Sequence, residues 1–500
     1  MAVTGIAGSA GLTLQSIVDM RDQLNDLQRQ LGTGKKSDSY AGLGLDRGLT
    51  VGLRSQLSSI ASYQQTISLV GVRLDLMQTA LSQFDSIAHQ SKSTILQSQY
   101  ALNGGTQTPD QTNAKGTLDS LVGILNSQAD GRYLFSGRAV DQAPVETVDH
   151  MLNGDGVRAG LKQMIDERKQ ADLGAGGLGR LVVGAPTATS VSVAEDSVSP
   201  FGFKLAGMTT NMAGATVSPP GGSPPVMSVD LGAASPSDGD IVKFTLTLPD
   251  GTSRDLTLTA TTSATPGPGQ FAIGATPAAT ATNLKAALTQ GIGNLANTEL
   301  VAASAVAAGN DFFDTDASHA PQRVDGPPFD TATALVDGTA TNTVAWYTGD
   351  DATDDPRATA LARADQSLTV SYGARANEQA LRAAVQSLAV FAATQFSGSD
   401  PNGEAQYSAL RQRIGAALVG TDNEQKVSDI AGQLAGAQVA LNNAKDRHGQ
   451  TDTTLQNLLQ SVEGAPTEQV AAQLLALQTS LQATLQTTAM LLQTNILKYL

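Results

Sequence analysis

Apolar side chains recur at steps of three and four near both ends of the chain, and this spacing predicts helices that each bury one stripe. The first stripe is Leu14, Ile17, Val18, Leu24, Leu27 and Leu31, with the stem of Arg21 on the same face. It stops in GTGKKSDSYAGLGLDRG, where Gly32, Gly34, Gly42, Gly44 and Gly48 make a continuous helix costly. The period resumes as Leu57, Ile60, Gln64, Ile67, Val70 or Gly71, Leu74, Met77, Leu81, Phe84 and Ala88. A helix carrying it to the region of Ala101 would be ~67 Å long at about 1.5 Å per residue. A shorter helix is expected after Thr108-Pro109-Asp110, with Leu118, Leu121, Val122 and Leu125 facing inward.

The C-terminal part repeats this design. After LTVSYG the spacing of Leu381, Val385, Leu388 and Phe391 predicts one helix. Val427, Ile430, Leu434, Ala437, Leu441, Ala444, His448, Thr451, Leu455 and Leu458 then step three and four without a slip, as in a coiled-coil seam. Glu463-Gly464-Ala465-Pro466 interrupts the seam, because proline lacks the amide donor and clashes with the preceding turn. A last helix carries Val470, Leu474, Leu477, Leu481, Leu485, Leu492 and Ile496.

Between Pro186 and Thr348 the pattern changes to short alternating runs rich in Gly, Pro, Thr and Ser. IVKFTLTL, the turn Pro249-Asp250-Gly251 and DLTLTA predict a hairpin. FAIGA reads as a further strand, and residues 280–291 as an amphipathic helix with Leu284, Ala287 and Leu288 on one face. The expected fold is therefore α+β and multidomain, with long antiparallel, coiled-coil-like terminal helices and a mainly β inserted middle domain. Residues 1–45 and 465–500 would form the terminal arms, 46–185 and 345–464 a long-helix rod with small hairpins, and 186–344 a looped-out insert. Assembly through the arms is expected to tolerate loss of that insert.

Composition narrows the function. Aromatic residues are only 4% of the chain, so burial must rest on Leu, Val, Ile and Ala, which suits thin helical layers. A net charge of -15 repels phosphates and anionic membrane surfaces, so neither nucleic acid nor membrane is an expected partner. The chain has no cysteine, which excludes disulfides, thiolate nucleophiles and thiolate metal sites. No basic residue precedes Arg21 and no apolar run has signal-peptide form, so the general secretory route is not expected.

Catalytic patterns do not assemble. His89, His150, His319 and His448 fall in different segments, and His448 lies on the seam, where a satisfied packing position is the reading. GTGKKS lacks the spacing and the preceding strand of a phosphate-binding loop. Asp350, Asp351, Asp354 and Asp355 could attract Ca2+ but lack the glycine and distal glutamate of a calcium loop, so a solvated turn is expected. No catalytic residue, metal ligand or cofactor is assigned, and the chain is read as a non-enzyme. The candidate functional residues are the stripes: Leu14, Ile17, Leu24, Leu27, Leu31, Val470, Leu474, Leu477, Leu481, Leu485, Leu492 and Ile496 for assembly, and Leu57, Ile60, Ile67, Leu74, Met77, Leu81, Phe84, Val427, Ile430, Leu434, Leu441, Leu455 and Leu458 for the rod seam.

Four segments carry a family likeness. LQRQLGTGKKSDSYAGLG, GRYLFSGRAVDQAPV, WYTGDD and the C-terminal stretch from Glu463 to Leu500 together resemble the bacterial flagellin family, and within it the hook-associated proteins of the hook-filament junction. Ser39-Tyr40-Ala41 departs from the acidic Asp-Asp-Pro step of that family. The resemblance implies an extracellular structural subunit exported by the flagellar type III apparatus. Its implied partners are copies of itself in a ring or filament, hook-associated protein 1, flagellin, and an export chaperone on the C-terminal arm. A filament-forming flagellin and an adhesin with a ligand-binding β insert are the alternatives.

Overall fold

The computed structural model describes residues 3–420 and 423–496, with side chains described at residue 12 and from residue 14 to residue 490 within that span. The fold is α+β, with long helices at both ends and β-sheets in the middle. The helices are α1 (Val3–Thr33), α2 (Arg47–Gln97), α3 (Pro109–Leu125), α4 (Val148–Asn153), α5 (Leu161–Leu173), α6 (Pro277–Leu295), α7 (Val301–Phe313), α8 (Gln379–Ala393), α9 (Gly403–Ala417), α10 (Val427–Glu463) and α11 (Thr467–Ile496). The chain divides into two compact units: Met1–Val70 with Arg363–Thr369 and Val439–Leu500, and Gly71–Ala362 with Val370–Gln438.

In the first unit α1 packs on α11, and the N-terminal part of α2 lies antiparallel to the C-terminal part of α10. The antiparallel sense follows from two pairs: Arg54 meets Glu463, and the Tyr63 ring stacks on His448 at 5.6 Å. His448 is buried, and its Nε2 lies 2.8 Å from the Ala364 carbonyl oxygen, so this seam position is filled by a hydrogen-bonded imidazole.

In the second unit, strands β1 (Gln128–Ala129) and β2 (Arg132–Tyr133) form a small hairpin after α3. Next come β3 (Leu181–Val183), β4 (Ser190–Glu195), β5 (Lys204–Thr210), β6 (Thr216–Gly221), β7 (Val226–Asp230), β8 (Ile241–Thr247), β9 (Ser253–Thr261) and β10 (Gln270–Ala272). They make one sheet in the order β10-β9-β8-β5 and another in the order β3-β4-β7-β6. The expected hairpin is β8–β9, in register from Ile241–Thr259 to Thr247–Ser253, and Gly251 supplies the positive φ its turn requires. β10 runs parallel to β9, which its connection through Pro266-Gly267-Pro268-Gly269 allows. Val191, Val193, Met227 and Val229 from one sheet and Val242, Phe244 and Leu258 from the other share a core with Leu284, Leu288 and Ile292 of α6. Short strands β11 (Gln322–Val324) and β12 (Leu335–Asp337) pair with each other, as do β13 (Leu361–Arg363) and β14 (Thr369–Ser371).

The insert is less purely β than its composition predicts. α6 continues through a π turn (Ala296–Leu300) into α7, which is buried on nearly every face and packs on α5, α8 and α9. Its sequence VAASAVAAGNDFF is mostly small or apolar, so helices approach it from several sides. The middle of the chain thus enters the helical core instead of looping away from it.

Candidate assembly surface

The two glycine-containing breaks meet. α1 ends at Gly34, whose φ of +66° a residue with a side chain rarely adopts. Lys35 forms an antiparallel bridge to Gly464, the Lys36 amide donates to the Glu463 carbonyl at 2.8 Å, and the Ala465 amide donates to the Gly34 carbonyl at 2.9 Å. Pro466 forces α10 to stop here, and the end of α1 therefore lies beside the start of α11, making the pair antiparallel. The Lys36 ammonium donates to the Val462 carbonyl at 2.8 Å, placing a cation on the carbonyl end of α10. Arg54 adds a two-pronged bond to Glu463, at 2.9 and 2.7 Å, and lies over the Tyr40 ring.

Two helices cover only the stripe each turns to the other. On α1 Ile17 is buried and Leu24 and Leu27 are half-buried, while Leu14 is 62% exposed and Leu31 is also exposed. On α11 Val470 is buried, Leu474, Leu477 and Leu481 are half-buried, and Leu485 is exposed. Leu492 and Ile496 lie outside the residues whose side chains are described. Beyond these positions, Leu12, Val18, Leu475 and Met490 are also largely exposed, so the pair presents apolar side chains outside its own seam. The spacing missed Leu475 and Met490 because it was read for one stripe per helix.

The rod positions grade from buried to open. Ile60, Ile67, Leu74, Met77, Leu81 and Phe84 of α2 and Val427, Ile430, Leu434 and Leu441 of α10 are buried. Leu57 and Leu455 are half-buried, and Leu458, placed on the seam by its spacing, is exposed. Leu458 belongs to the last turns of α10 before the proline break, and its carbonyl accepts from Ser461.

The segments that carried the likeness are also joined. Val145, closing GRYLFSGRAVDQAPV, bridges Tyr347, and Trp346 is fully buried with its indole N–H donating to the Phe313 carbonyl at 2.9 Å. The acidic turn is not simply solvated. Arg138 and Arg375 both pair with Asp350 and Asp354, and the hydrogen bonds from Arg138 and Arg375 hold the Asp354 carboxyl down at about 2. Two guanidinium groups thus occupy the oxygens that a cation would need. Among the described residues no group of three metal-ligating side chains forms and no helix is long and apolar enough to cross a membrane.

No curated protein matches the chain. Residues 8–139, which include most of α1, its break, α2, α3 and the β1–β2 hairpin, match the family described as the bacterial flagellin N-terminal helical region.

Proposed function

We propose that this protein is a structural subunit of the bacterial flagellum, positioned extracellularly at the hook-filament junction and held there by helix-helix packing. The observation that carries the reading is the apolar surface that α1 and α11 leave open after pairing with each other. Each such leucine gains ~1.5 to 3 kcal/mol on full burial, which a neighbouring subunit would supply in the assembled structure. The family match over residues 8–139 supports a flagellar structural subunit. Residues 1–45 and 465–500 are proposed as the inner, assembling domain, with hook-associated protein 1, flagellin and further copies as neighbours and a chaperone covering the C-terminal arm before assembly.

The subtype is tested by seeding. Purified protein is heated, cooled and mixed with filament fragments; a junction subunit adds at fragment ends without elongating them. Long filaments in electron micrographs would identify a filament-forming flagellin instead. The packing scheme is tested by Leu477→Asp, which places a charge on a half-buried seam position. We expect the variant to be exported but not incorporated, and normal swimming would count against the scheme.

A further inference from the structure

We propose that Asn103, in the connection between α2 and α3, is a site of spontaneous deamidation, and that the fold directs this chemistry to it among the three Asn-Gly pairs of the chain. The pairs are Asn103-Gly104, Asn153-Gly154 and Asn402-Gly403, all in the second unit.

The chemistry follows from the dipeptide. The glycine amide nitrogen attacks the asparagine Cγ, the new C–N bond closes a succinimide ring, and the side-chain nitrogen leaves as ammonia. Water then opens the ring at either carbonyl, giving aspartate or its isomer, in which the main chain runs through the former side chain. A side chain on the following residue obstructs the attack, and glycine has none. In a folded chain the glycine nitrogen must also be able to turn toward the carboxamide, and the carboxamide must be free to meet it.

Asn103 satisfies both conditions. It is exposed, lies outside both helices, and among the described residues its carboxamide makes no hydrogen bond. Gly104 has a φ of +79°, and a Cβ built on it would meet nothing within 4 Å. Its amide donates to the Leu102 carbonyl at 2.8 Å, a bond between residues two apart that a rotation within the loop breaks without disturbing α2 or α3. Gly105 follows and adds a second residue without a Cβ to that rotation.

The other two pairs are held. Asn153 donates from Nδ2 to Asp149 at 2.7 Å and accepts at Oδ1 from Lys162 at 2.7 Å, so both ends of its carboxamide are fixed. The Gly154 amide closes α4 on the His150 carbonyl at 2.8 Å, and a Cβ built on Gly154 would lie 2.2 Å from the Arg158 carbonyl oxygen. Gly403 is buried at the start of α9, where a Cβ would lie 2.4 Å from the Tyr100 hydroxyl oxygen. Ring closure there would also pull apart the first turn of α9, in which the Asn402 carbonyl accepts from the Gln406 amide at 2.9 Å. Each conversion at Asn103 replaces a neutral carboxamide by a carboxylate, taking the formal charge one unit beyond -15.

The test holds the full-length protein in mildly alkaline buffer, folded and in urea, and follows the three peptides by chromatography and mass spectrometry. Conversion adds about 1 Da, and the isomer elutes separately from aspartate. Asn103 is expected to convert in the folded protein at nearly its rate in urea, and Asn153 and Asn402 at least about tenfold more slowly than in urea. Asn103→Gln, whose longer side chain closes a less favourable ring, should leave this peptide unmodified over the same period, with thermal melting unchanged. Gly104→Ala should slow the reaction about tenfold, in urea as well as in the folded protein. A rate at Asn103 that falls about tenfold on folding, or a rate at Asn153 or Asn402 in the folded protein equal to that at Asn103, would overturn the assignment. The readout is independent of subunit assembly.

Discussion

Two acidic side chains illustrate how the tertiary setting assigns roles that residue type alone does not. Glu463 stands in the break before α11, where it accepts both prongs of Arg54 while its backbone joins Lys36. Arg54 is 44% exposed, so water screens the pair. Glu463→Gln is expected to cost about 1 kcal/mol or less, read as a small fall in the urea midpoint. Asp311 is different. It shares the Arg168 guanidinium with Asp172, at 2.6 and 3.0 Å, and burial pushes its carboxyl up to about 6 against the attraction of Arg168. The folded state therefore holds this proton more tightly than the unfolded chain, whose carboxyl titrates near 3.8. The stability it contributes is complete below about pH 4 and is lost as pH rises through about 6, a change on the order of 3 kcal/mol. Asp311→Asn cannot ionise, so its urea unfolding should lose that part of the slope between pH 4 and pH 6. A slope identical to that of the unchanged protein would show that Asp311 is already ionised throughout. Neither role was legible beforehand, because Arg54 and Arg168 reach their partners through chain separations of 409 and 143 residues.

Among the elements, the helices with one buried stripe were legible and the helix buried on all sides was not. Most positions on the steps from Leu57 to Ala88 and from Val427 to His448 are buried, as expected where one packing direction imposes one period. α2 begins earlier than its leucines suggested, since Thr50 and Leu53 extend the same buried stripe. α7 escaped notice because its alanines, Gly309 and Ser304 admit neighbours on several faces. At Gly309 α8 comes close: a Cβ built there would lie 2.4 Å from Val390 Cγ2. Alanine is favoured over glycine in a helix by about 1 kcal/mol, whereas overpacking costs ~1 to 3 kcal/mol. Gly309→Ala is thus expected to destabilise the protein despite its better helix propensity, and a raised melting temperature would refute the close approach of α7 and α8.

For the whole molecule, the entry of the middle segment into the helical core changes what its removal should do. Residues 190–340 include α7, whose apolar faces lie on α5, α8 and α9. Their deletion would uncover Val390 of α8, which lies against Gly309, and the faces of α5 and α9 that pack on α7. We expect a chain that loses cooperative unfolding of its second unit in calorimetry, in place of the tolerated loss that a looped-out insert would permit. A sharp, undiminished transition would mean that the remaining helices close on themselves.

The sequence by itself determined the long helices, the breaks at Gly34 and Pro466, the β8–β9 hairpin and the apolar stripes, because each is written in local spacing and backbone chemistry. Tertiary structure decided which stripe each helix spends on its internal partner and which remains open, as on Leu14 and Leu475. It also decided that the acidic turn serves Arg138 and Arg375, and that α7 belongs to the core. These outcomes depend on which distant surfaces meet, and that is set by the packing of the whole chain.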